Sequence, residues 1–106
     1  MGNRRTDPYS SDLTPICESS PDWPKFTRVL PILNWSYANV WEFLKTFHLD
    51  YCILYDYGFT SLGEIHNTCK NPYLKIGQDE SGEDKYLPAS ELQDEAFERA
   101  SRIKSL

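Results

Sequence analysis

The chain has 106 residues and a mass of 12.3 kDa, enough for one small domain, which buries only about two thirds of the surface that its unfolded form exposes. Its 40% hydrophobic, 25% charged and 14% aromatic residues exclude disorder, collagen-like repeats and low complexity. A formal net charge of -5 excludes a protein that grips nucleic acid through a global basic footprint.

Residues 2–24 are punctuated by Asp7-Pro8, Thr14-Pro15, Ser20-Pro21 and Trp23-Pro24, too often for regular structure, and read as one long loop. Tyr9, Trp23 and Phe26 argue that this loop is ordered and functional. Arg28 to Leu33 reads as extended, with Pro31 confining it to an edge or a strand end. Ser36 caps a helix whose apolar residues Tyr37, Val40, Trp41, Leu44 and Phe47 recur at helical spacing, leaving Asn39, Glu42 and Lys45 to water. Trp35 and Trp41 lie in or beside that pattern and read as core. Tyr51 to Tyr55 has strand composition and is followed by Asp56-Tyr57-Gly58, a turn signal in which Gly58 can take positive φ. Gly63, Asn71-Pro72 and the acidic Gly77–Lys85 stretch mark loops. Ser90 caps a final helix running to about Ile103, with Glu91, Asp94 and Glu95 early and Arg99, Arg102 and Lys104 late, as the helix dipole favours.

No run of about 18 apolar residues is present, and Met1 to Arg5 begins no apolar signal stretch. A cytoplasmic protein without membrane or nucleic-acid partners is expected. Cys17, Cys52 and Cys69 stand 35 and 17 residues apart (52−17, 69−52) with no Cys-x-x-Cys pair, which fits reduced thiols. Neither His48 nor His66 is paired at ligand spacing, so both read as structural or surface residues and no protein-held metal is expected.

Several short motifs stand in a telling order: Gly2-x-Arg4-x-x-Asp7-Pro8-Tyr9, Trp23-Pro24-x-Phe26, Leu30-Pro31-Ile32-Leu33-x-Trp35-Ser36 and Val40-Trp41-Glu42-Phe43-Leu44. Leu54-Tyr55-Asp56-x-Gly58-Phe59-Thr60-Ser61-Leu62-Gly63, Asn71-Pro72, Tyr86-Leu87-Pro88-Ala89 and Glu98-Arg99-x-x-Arg102 complete them. Together they resemble the C-terminal part of the eukaryotic FAD synthases (FMN adenylyltransferases), relatives of the phosphoadenylylsulfate (PAPS) reductases, over nearly the whole of residues 1–106. The resemblance implies an α/β fold: the C-terminal part of a Rossmann-like adenine-nucleotide α-hydrolase-type domain, with helices, long loops and few strands.

The same resemblance implies adenylyl transfer from ATP to FMN, giving FAD and pyrophosphate, with Mg2+ held mainly by the nucleotide phosphates. Such chemistry needs positioning and charge neutralisation more than covalent catalysis. Gly2, Arg4 and Asp7 then line the nucleotide and flavin site, Arg4 meeting a phosphate through its planar donors. Trp23 takes the ring on which the isoalloxazine stacks, and Arg99 and Arg102, at i and i+3 on one helical face, meet a phosphate. By residue type alone, Arg99 and Arg102 equally complement a helix C-terminus, Trp23 is a loop anchor, and Asp7 before Pro8 is a turn residue.

The sequence departs from the family in two ways. It carries no Gly-rich Ser-Gly-Gly-x-Asp-Ser loop to cradle the ATP phosphates, so a missing N-terminal portion or a second chain is expected to complete the domain. Ser20 also stands where relatives usually have Asp. The alternative function is a flavin-nucleotide-binding fragment or regulatory pseudoenzyme without turnover. A sulfonucleotide reductase would need a Glu-Cys-Gly-x-His tail that is absent here, and the acylation signal Met1-Gly2-x-x-x-Thr6 competes with Gly2 as the start of Gly-x-Arg.

Overall fold

The computed structural model describes residues 1–103. Lys104, expected among the basic residues closing the last helix, lies outside them. The chain divides into two units, Met1–Val40 and Trp41 onward, and one α-helix, α1 (Tyr37–Thr46), runs across the division.

Helix α1 begins where the sequence places it. Ser36 Oγ accepts the Asn39 N–H at 3.0 Å and the Asn39 side chain accepts the Ser36 N–H at 3.0 Å, a reciprocal cap that satisfies two donors the helix leaves open. It ends at His48, whose φ of 51° lets Leu49 N–H reach back to the Leu44 carbonyl at 2.9 Å. His48 is thus the helix stop.

In the first unit, β1 (Ile16–Glu18), from the stretch expected to be irregular, pairs antiparallel with β2 (Thr27–Val29), which opens the segment expected to be extended, with Ile16 opposite Val29 and Glu18 opposite Thr27. The long-loop reading of 2–24 therefore fails at 16–18, where Pro15 supplies a ladder acceptor, its carbonyl taking the Leu30 N–H at 2.8 Å. The extended reading of 28–33 holds only to Val29. The chain turns at 30–35, with Leu33 N–H on the Leu30 carbonyl and Trp35 N–H on the Ile32 carbonyl. Leu30, Leu33 and Tyr37 are buried, while Trp35, read as core, is half-buried.

In the second unit, Trp41 is buried and meets the rings of Tyr51 and Tyr55 edge-on, at centroid distances of 5.0 and 5.6 Å. The strand expected over Tyr51–Tyr55 is not formed: Ile53–Tyr57 is a 3-10 turn, because the aromatic residues pack locally on Trp41 and Tyr51 Oη donates to Asp56 at 2.7 Å. Gly58 closes it with φ 100°, as expected. The acidic stretch read as a loop carries instead a bulged hairpin of β3 (Lys75–Gln78) and β4 (Asp84–Tyr86). Its tip is held by Asp79, whose carboxylate accepts from Ser81 N–H, Ser81 Oγ and Glu83 N–H.

The final α-helix is also replaced. Short 3-10 segments cover Ala89–Glu91 and Glu95–Ser101, and the second is capped by Asp94, not Ser90, through the Ala96 N–H at 2.9 Å. Two carbonyls that an α-helix would use, at Phe97 and Glu98, instead accept from Asn71 Nδ2 and Thr60 Oγ1. Arg102 N–H closes an i−3 bond to Arg99. The described residues thus mix helix with two small antiparallel sheets. Among them no helix is long and apolar enough to cross a membrane.

Candidate functional site

The first unit carries four of the expected site residues. Gly2 is exposed with open space around its Cα. Arg4 is only 6% exposed; one guanidinium nitrogen donates to the Trp35 carbonyl at 3.3 Å, and its backbone N–H donates to the Asp7 carboxylate at 2.7 Å. Asp7 N–H returns to the Arg4 carbonyl at 2.9 Å. Arg4 and Asp7 are therefore brought together, as a turn closed by its own carboxylate.

The turn runs on into Pro8, Tyr9 and Ser10. Ser10 is fully buried; its N–H donates to the Asp7 carbonyl and its Oγ accepts from Asn3 Nδ2 at 3.2 Å. Between these fixed points Tyr9 adopts φ 62° with its side chain fully exposed, a backbone conformation that costs a side-chain-bearing residue about 1–2 kcal/mol. Arg5, unremarked in the sequence, braces this segment. It donates to Asn34 Oδ1 from two nitrogens and to the Ser11 and Leu13 carbonyls from a third.

Trp23 sits on the connection between β1 and β2. That connection is laced by Ser19 Oγ donating to the Pro24 carbonyl, Phe26 N–H donating to Ser19 Oγ, and Trp23 N–H donating to the Ser20 carbonyl. The indole is 67% exposed and lines a cleft of about 450 Å³ with Glu18, Ser19, Ser20, Pro21 and Lys25. The cleft is thus lined at position 20 by a neutral serine, and by Lys25, which the sequence did not single out.

In the second unit Arg99 and Arg102 do not share a helical face. Arg99 is exposed, whereas Arg102 leaves the 3-10 segment in extended conformation. Its Nε donates to Ser61 Oγ at 2.9 Å and one terminal nitrogen donates to the Leu62 carbonyl. A Cβ at Gly63 would lie 2.6 Å from the Arg102 guanidinium and would force it to shift. Beside this clamp lies a buried polar network: Asn71 Nδ2 donates to Thr60 Oγ1 at 2.8 Å, Thr60 N–H donates to Ser101 Oγ at 3.0 Å, and Asn71 N–H donates to the Gly58 carbonyl at 2.8 Å. The network joins residues that the sequence presents as three separate motifs. Burial pushes the Tyr55 phenol above its ordinary pKa, and the Asp56 hydrogen bond does the same to Tyr51.

Residues 1–70 match the phosphoadenosine phosphosulfate reductase domain. The chain belongs to this family. Over 103 residues this PAPS reductase-family chain is 48% identical to a probable FAD synthase of Caenorhabditis briggsae, covering 96% of itself and 20% of the relative. It is 33% identical to the flavin adenine dinucleotide synthase of Saccharomyces cerevisiae, covering 99% of itself and 47% of that protein. The crystal structure of Candida glabrata FMN adenylyltransferase in complex with FAD and inorganic pyrophosphate superposes on all of the chain with a TM-score of 0.88 at 31% identity, and 48% of that structure is covered. The PAPS reductase-like fold expected from the sequence is therefore present. The chain spans about half the length of the yeast proteins and a fifth of the nematode one.

Proposed function

We propose that this chain forms the flavin-receiving part of an FAD synthase. A phosphate oxygen of FMN attacks the α-phosphorus of ATP, the bond from that phosphorus to the bridging oxygen breaks, and its electron pair leaves with pyrophosphate, giving FAD. One observation carries the reading: Trp23 stands exposed on a braced loop beside an open cleft, in a chain similar along its whole length to an FMN adenylyltransferase that holds FAD.

Trp23 is proposed to stack on the isoalloxazine, with Ser20 and Lys25 meeting its polar edge. Arg4 and Asp7 are proposed to hold the 4–10 segment in shape below the nucleotide, and Gly2 to let the ligand approach the backbone. Arg99 is proposed as the phosphate partner; Arg102 acts through the 61–63 loop that it clamps. Among the described residues no group of three or more His, Cys, Asp or Glu side chains is arranged to hold a metal, so magnesium is proposed to arrive on the ATP phosphates. The remaining length of the relatives, in the same or a second chain, is proposed to supply the ATP cradle.

The test is titration of FMN into the purified chain, followed by FAD formation with Mg-ATP measured by chromatography. Flavin fluorescence is expected to be quenched on binding, and Trp23→Ala to weaken binding about fivefold or more, the loss of a stacking contact of about 1–3 kcal/mol. Turnover abolished by Arg99→Ala makes the chain an enzyme as it stands, while binding without turnover makes it a flavin-nucleotide-binding module. An unsubstituted chain that binds no FMN overturns both.

A further inference from the structure

Two residues other than glycine hold positive φ among those described, His48 and Tyr9. His48 is accounted for by the end of α1. Tyr9 ends no helix and packs on nothing, since its side chain is as exposed as in an extended peptide. Its conformation is nevertheless fixed on both sides. Pro8 restricts the residue before it, the Asp7 carboxylate locks the turn through Arg4 N–H, and Ser10 is anchored in the interior by Asn3 and by the Asp7 carbonyl. The segment therefore retains backbone strain to hold an aromatic ring in solvent, with no return in packing within the unit. Strain that the surroundings over-determine, on a side chain without a structural partner, points to a ligand contact. A ring held in advance loses little freedom when a planar group stacks on it.

We infer that Tyr9 is a second stacking surface for the nucleotide substrates, taking the planar heterocycle of FMN or of ATP. This rests on the function proposed above and adds a binding residue to it, distinct from Trp23 and two positions beyond Asp7.

The test compares the unsubstituted chain with Tyr9→Gly, Tyr9→Phe and Tyr9→Asn, titrating FMN by fluorescence and Mg-ATP by calorimetry and recording melting temperatures. Glycine accepts positive φ without cost, so Tyr9→Gly removes ring and strain together. Its melting temperature is expected to be unchanged or higher, while its affinity for one of the two nucleotides falls tenfold or more. Tyr9→Phe keeps the ring and is expected to bind within twofold of the unsubstituted chain. Tyr9→Asn tolerates the same backbone conformation without the ring and is expected to behave as Tyr9→Gly does. The nucleotide that loses affinity names the heterocycle. If both ring-less variants bind FMN and ATP within twofold of the unsubstituted chain, Tyr9 is no ligand contact. An unsubstituted chain that binds neither nucleotide overturns the proposed function and this inference with it.

Discussion

Asn71 shows how much a single side chain holds in the second unit. Fully buried, it donates to Thr60 Oγ1 and to the Phe97 carbonyl, and accepts the Tyr73 N–H at 2.9 Å. Asn71→Ala removes all three of these bonds at once, each worth about 0.5–1.5 kcal/mol, so urea denaturation is expected to show a loss of about 2–4 kcal/mol. A loss below about 1 kcal/mol would mean that the partners find other bonds. The sequence marked Asn71-Pro72 as a turn, which it is, because a cap on the Tyr73 N–H is a local property. The other two bonds reach 11 and 26 residues away and have no local signature. Gly58 was legible for the complementary reason: positive φ is a demand of its own backbone. Arg102 was legible as a basic residue near a helix end, but its clamp on Ser61 and Leu62 depends on where the 61–63 loop comes to rest.

At the scale of elements, α1 was readable because its cap and apolar spacing, Ser36 to Phe47, lie within a dozen residues. Tyr51–Tyr55 misled because strand composition describes a fit to a sheet, and among the described residues no strand pairs with them. The 95–101 segment misled because its charge pattern suits a helix dipole while its carbonyls are drawn to Asn71 and Thr60. The β3–β4 hairpin was hidden by acidic residues that turn out to hold its tip. Hydrogen bonds from Ser81 and Glu83 hold the Asp79 carboxyl below the usual carboxylate range, as those from Gln78 and Lys75 do for Asp84. A carboxyl whose folded pKa is depressed contributes stability above its unfolded pKa, about 4, and loses it as the pH falls through the folded value. Acidification below about pH 4 is therefore expected to loosen the hairpin, read as pH-dependent shifts of the Ser81 and Glu83 amide resonances. Asp79→Asn is expected to remove most of that step, and an unchanged step in this variant would assign it elsewhere.

For the whole chain, family membership was legible because many short motifs in fixed order are specific even where each alone is weak. The division into two units was not, since it falls inside a continuous helix. Charge and exposed apolar area together set the solution behaviour. The sequence pI is about 4.9, and Phe43, Phe47, Leu49, Ile53, Leu54 and Tyr57 are all substantially exposed. Near that pH the repulsion that keeps copies apart vanishes while apolar contact remains. Sedimentation is expected to show self-association near pH 4.9 that reverses at pH above about 7; Phe47→Glu is expected to reduce it, and equal association at both pH values would rule out charge as the control. The buried Thr60–Ser101 bond also dictates an order of events in folding. Forty-one residues separate its partners, so the chain must double back over that distance, giving up loop entropy, before Asn71 or Ser101 gains anything from burial. Helix α1 and the β3–β4 hairpin need no such closure. The polar network is therefore expected to be secured after them.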